Sequence, residues 1–93
     1  MPIPEWLLSD VRSAHAHFRQ IEEQWLAVDK DAKPTVEIHN LASKFWHSQA
    51  QFNLQTTTFL FACMQRDGKT YNEAYAALHR VFAGKAPYDD AQS

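Results

Sequence analysis

Five histidines, one cysteine and a Gly-Lys-Thr tripeptide hold most of the side-chain chemistry this chain can offer. A helix that binds a metal through two histidines needs them three or four positions apart, so that both rings leave the same face. His15 and His17 are two apart and would point roughly 160° away from each other on a helix. His39 and His47 are eight apart, which offsets them by about 80° and by roughly 12 Å of rise. No Glu-x-x-His pair of the di-iron bundle kind occurs. Spacing leaves open only a set drawn from different helices, such as His15 with Glu22 or His47. The expectation is solvated or cap-adjacent histidines, with no metal and no cofactor.

The remaining motifs are weaker. Arg12-Ser-Ala-His-Ala-His17 superficially resembles the arginine-x4-histidine element of HEPN ribonucleases, but it is short and no companion signal accompanies it. Gly68-Lys69-Thr70 resembles the end of a phosphate-binding loop, yet the upstream glycine is missing and a helix leads in where a strand should. Cys63 lies among Phe59, Leu60 and Ala62 with no histidine within a turn, the setting of a buried structural thiol and not of a nucleophile. Four arginines without clustering argue against an enzyme that grips phosphates or dicarboxylates. No catalytic residue is assigned, and the chain reads as a non-enzyme.

Length and charge narrow the classes further. Ninety-three residues make one domain, and so short a chain buries only about 60–65% of the surface its unfolded form exposes. Stability is thin unless something is added, the usual additions being a disulfide, a metal or a second subunit. One cysteine permits no internal disulfide and fits a reducing compartment. The N-terminal stretch has no basic region of the signal-peptide kind, and no uncharged apolar run approaches a membrane span. The formal charge is −2, with its lysines and arginines scattered, so the basic stripe that nucleic-acid binding demands is missing. These features predict a cytoplasmic protein with no nucleic-acid or membrane partner, stabilised by another protein chain.

The elements that would position these residues are helices. The two glycines, Gly68 and Gly84, stand where helices would stop, and the four prolines stand before or after the apolar periodicities. In the first segment, residues 5–28, Leu7, Val11, Ala14, Phe18, Ile21, Trp25 and Val28 recur in alternating steps of four and three. Pro34 closes a polar linker and suits a first helical position. The second segment, residues 35–66, carries the seam Ile38, Leu41, Phe45, Ser48, Phe52, Gln55, Phe59 and Ala62. Thr56, Thr57 and Thr58 are poor helix formers and mark a place for a kink, although the seam runs through them. The third segment, residues 71–83, opens with Thr70-Tyr-Asn-Glu73, a capping box, and continues through Tyr71, Ala74, Tyr75, Leu78, Val81 and Phe82. Residues 85–93 read as a frayed tail. The predicted fold is all-α, an antiparallel three-helix bundle with a long central helix, and homodimeric.

The central helix carries a second apolar line. Ala50, Leu54, Phe61 and Met64 lie nearly opposite Phe45, Phe52 and Phe59, with Thr57 filling the gap and Trp46 and Leu60 alongside. Helix 1 can cover one face, while helix 3, about 20 Å long, can reach only the last half of the other. Trp46, His47, Ala50, Leu54, Phe61 and Met64 are therefore the candidate protein interface. The predicted function is a protein-binding regulator, inhibitor or complex subunit, its partner an identical chain or a larger target. The competing class is a small-molecule or metal-binding bundle, catalytic or not, with a pocket lined by histidines and tyrosines.

Overall fold

A computed structural model describes residues 3–88 of the chain, and everything in it that repeats is helical. Helix α1 spans Glu5–Leu26, α2 spans Val36–Phe61 and runs into a π turn over Ala62–Arg66, and α3 spans Tyr71–Phe82. The protein is all-α.

Local chemistry sets the ends of each helix. Pro4 starts α1, its carbonyl accepting from the amides of Leu7 and Leu8 at 3.1 and 3.3 Å. The helix stops at Leu26, two residues short of the apolar period. There Lys30 turns its ammonium back onto the carbonyls of Trp25 and Val28, and Asp29 takes the amide of Asp31 at 3.0 Å. Both interactions satisfy groups that one more helical turn would otherwise claim. Thr35, one residue after Pro34, is the N-cap of α2 and accepts from the amide of Ile38 at 3.1 Å. The Thr70–Glu73 capping box is closed in both directions, at 2.9 and 3.2 Å.

The three threonines do not break α2. Thr56 and Thr58 bend their hydroxyls back onto the carbonyls of Asn53 and Leu54 at 3.1 and 2.9 Å, satisfying themselves within the helix. The irregularity comes later, in the π turn, where the amide of Asp67 reaches the carbonyl of Ala62, five residues back. Gly68, at φ 66°, then reverses the chain, and Lys69 donates to the carbonyl of Cys63 at 3.0 Å.

Along α1 and α2 the predicted seams meet. Phe18 stacks on Phe52 with centroids 5.0 Å apart, and Trp25 stacks on Phe45 at 5.8 Å, so later residues of α1 meet earlier residues of α2. The buried core lies at the opposite end of this hairpin. Ile3, Leu7, Leu8 and Val11 there pack with Phe59, Cys63 and the α3 stripe of Ala74, Ala77, Leu78 and Val81. Val11, Phe59, Cys63 and Val81 are wholly buried, and burying a side chain of the size of Val11 or Phe59 is worth about 1.5–3 kcal/mol. The two alanines let α3 approach closely. Tyr71 and Tyr75, placed by the sequence on the apolar side of α3, instead stand exposed at its edge.

Arg12 fastens α3 in place. Its guanidinium donates to the carbonyls of Val81 and Lys85 at 3.4 and 3.2 Å, across the C-terminal end of α3. Residues 85–88 are likewise held. Arg80 donates to the carbonyl of Ala86 at 2.8 Å, and the Tyr88 hydroxyl donates to the Asp67 carboxylate at 2.6 Å. The predicted tail therefore departs from expectation up to Tyr88, and its remainder, 89–93, lies outside the described residues.

The molecule is long, with extents of 54 × 22 × 21 Å. With 12 residues, α3 is about 18 Å long and lies at one end of an α2 that is about 39 Å long. It sits beside Phe59 and Cys63, on the seam side. The expectation that α3 shelters the Phe61 end of the second apolar line is not met.

Candidate functional site

The outer side of α2 is an unbroken exposed line. Val36, His39, Ser43, Trp46, Ala50, Leu54, Thr57 and Phe61 follow one another in steps of three or four, and every one of them is exposed. Trp46 keeps 62% of its surface in water, Leu54 59% and Phe61 58%. Five of the six residues singled out by the sequence, namely Trp46, His47, Ala50, Leu54 and Phe61, belong to this face. Met64 does not. The wider π turn lags the rotation of an α-helix, and it leaves Met64 half-buried against the core.

Why these residues remain outside follows from the seam. Ser48, buried, bonds its hydroxyl to the carbonyl of Phe45 at 2.9 Å, and with Phe52 and Phe59 it turns the inner side of α2 toward α1. A helix has one inner side, so the second apolar line must face away. Trp46 touches its neighbour Phe45 edge-on at 5.4 Å, which fixes the indole on the shoulder of the hairpin.

The electrostatics of the face are its most telling property. From Phe45 through Gln65 there is no Asp, Glu, Lys or Arg, although charged residues are 22% of the chain. An exposed helix face normally carries charges for solvation, and their depletion together with aromatic enrichment marks the centre of protein interfaces. Lys44 and Arg66 bound the neutral stretch. This gap was visible in the sequence as a missing residue class, a signal that apolar periodicity does not register. Asn53 and Thr57 belong to the face for the same reason.

Other groups assemble away from it. A row of aromatic rings crosses all three helices. His15 stacks on Phe82 at 4.1 Å and tilts against Phe52 at 5.7 Å, and Phe82 leads through His79 to Tyr75 and Tyr71. Burial between rings holds the His15 imidazolium pKa below its ordinary 6.5, with Arg19 and His79 adding like-charge repulsion. His17, His39 and His47 are exposed and separate from this row. Cys63 is buried, and that burial pushes its thiol pKa up, the opposite of what a nucleophile needs. Tyr88 lies beside it, its phenol pKa raised by burial and by donating to Asp67, and the Lys69 ammonium sits 4.6 Å over its ring.

A shallow depression on α1 is lined by Arg19, Gln20, Glu22, Glu23 and Leu26, with no histidine or tyrosine in its wall. Among the described residues, no three His, Cys, Asp or Glu side chains gather closely enough to hold a metal ion. No helix among them is long and apolar enough to cross a membrane. No protein family, curated protein or solved structure matches this chain.

Proposed function

We propose that this chain is a protein-binding subunit, a regulator, inhibitor or complex component, whose docking element is the outer face of α2. In this reading the helices form an antiparallel bundle that works in the cytoplasm and takes no nucleic-acid partner. One observation carries it. Trp46, Leu54 and Phe61 stand in water on a helix face that has no charged residue to keep it there. Leaving three such side chains exposed forgoes roughly 1 kcal/mol or more apiece, a large sum for a domain stable by about 5–15 kcal/mol. A partner that covers them recovers that energy, and bulky rings at the centre of a neutral patch are what binding hot spots are made of.

The test is a photo-reactive residue at Leu54, compared with one at Ser13 on the exposed side of α1. Illumination in the cells that make the protein is expected to yield discrete adducts from position 54 and none from position 13. Trp46→Ala is expected to reduce the adduct from position 54 without loss of helicity. Absence of any adduct from position 54, or equal labelling from both positions, refutes the docking role.

A further inference from the structure

We propose that the occupant of this face is a second copy of the same chain, seated with the two α2 helices antiparallel about a two-fold axis that passes between Asn53 and Leu54. The inference rests on the docking role of α2 and names its partner.

The first argument is the order of side chains. Two rows run along the face at steps of four, Trp46–Ala50–Leu54 and Asn53–Thr57–Phe61. A two-fold axis between Asn53 and Leu54 exchanges them. It sets Trp46 against the other copy's Phe61, Ala50 against its Thr57 and Leu54 against its Asn53. Large rings then close both ends, Ala50 and Thr57 leave room between them, and Leu54 packs beside Asn53 at the axis. A closed dimer requires this self-complementarity, since its two halves are one surface used twice. Ring meets ring at the ends and small side chain meets small at Ala50 and Thr57, as one surface used twice requires.

The second argument is area. Accessible surface is 6550 Å², whereas a compact monomer of 10.7 kDa exposes about 5,500 Å². The radius of gyration is 16.3 Å against roughly 12 Å for a compact chain of this length. The excess of about 1,000 Å² per chain is more than the roughly 800 Å² that one partner contributes to a standard interface. From their exposed fractions, Trp46, Leu54 and Phe61 supply on the order of 350–400 Å² per copy. Ala50, Asn53, Thr57 and His47 bring the patch to about a tenth of the chain's surface, the usual share of one partner.

The third argument is charge. Near a two-fold axis between Asn53 and Leu54 side chains meet their own duplicates, so like charges there would repel. From Phe45 through Gln65 no formal charge is present to do so.

The register gives a test that an unspecific association would fail. Purified wild-type protein, followed by sedimentation velocity from micromolar to about 200 μM, is expected to shift from monomer to dimer. Trp46→Glu alone and Phe61→Lys alone are each expected to weaken the dimer at least tenfold. Mixed in equal amounts they are expected to re-associate within about tenfold of wild type. In the mixture one end keeps its Trp–Phe contact and the other pairs the two introduced charges. Circular dichroism of each variant checks that helix is retained, and recovery on mixing shows that both are folded. A wild type that stays monomeric throughout overturns the inference, as does a dimer indifferent to Trp46→Glu or a mixture that does not recover. The photo-reactive residue at Leu54 separates the two readings. Adducts only of foreign mass overturn the second copy and leave the docking role standing, while no adduct at all ends both.

Discussion

Removing the guanidinium of Arg12 tests whether α3 is held in place by one side chain. Among the described residues, Arg12 is the α1 side chain that donates to backbone carbonyls at the end of α3. Its bonds to Val81 and Lys85, at 3.4 and 3.2 Å, are on the long side. The last carbonyls of a helix lack partners within it and carry the negative end of its dipole, so a cation there is favourable. A bond to a charged group contributes about 1.5–3 kcal/mol when short and buried. These are long, and the side chain keeps 36% of its surface in water, so the pair together is worth roughly 1–2 kcal/mol. For a domain of this size, Arg12→Leu should then lower Tm by on the order of 5–10 °C. Arg12→Lys keeps the charge but not the fork, and should fall between. The pair with Glu5 makes a natural control. It spans 3.7 Å, and Glu5 is 83% exposed, so Glu5→Gln should leave Tm unchanged. Thermal unfolding at one fixed protein concentration measures all three, since association shifts Tm by mass action. An Arg12→Leu protein that melts with wild type would refute the account of how α3 is secured.

Two further outcomes follow from groups whose surroundings the structure fixes. His15 is neutral by preference in the fold, its pKa below 6.5 because of burial, Arg19 and His79. Its contribution is therefore complete above about pH 6.5 and is lost as pH falls through the lower folded value. Tm measured at pH 7.5 and 5.5 should fall less for His15→Phe than for wild type, and equal falls would show that His15 does not set the slope. Thr70→Ala opens the capping box of α3 and should cost about 1 kcal/mol, read as a lower denaturant midpoint with unchanged slope. An unchanged midpoint would mean that packing alone starts α3.

Features that repeat, or that bond within a few residues, were legible in the sequence. The apolar seam of α1 predicted the buried Leu7, Val11 and Ile21, and that of α2 predicted Ser48 and Phe59. The Thr70–Glu73 cap was readable because both partners lie within one turn. What escaped depends on geometry that has no period. Lys30 ends α1 early by reaching back to carbonyls, and the π turn carries Met64 off the outer face. Arg12 reaches a carbonyl more than seventy residues away. Continuity of α2 through the threonines was legible too: propensity argues for a break, but the seam runs on through them, and Thr56 and Thr58 each bond to a helix carbonyl.

The position of α3 also explains why the outer face of α2 is uncovered among the described residues. Its own apolar stripe, Ala74, Ala77, Leu78 and Val81, is fully used in the groove between the start of α1 and the end of α2. Moving it around α2 to shelter Phe61 would expose Val11, Phe59 and Cys63, which are now wholly buried, in exchange for side chains already about half covered. That trade loses energy, because the fully buried set gains the most from exclusion of water. Even moved, a helix of about 18 Å could not span a face running from Val36 to Phe61. Among the described residues no other helix is free to serve, since α1 is committed to the seam along its whole length. Within the described residues Trp46, Leu54 and Phe61 thus stay uncovered, which is the opening the proposed dimer would fill.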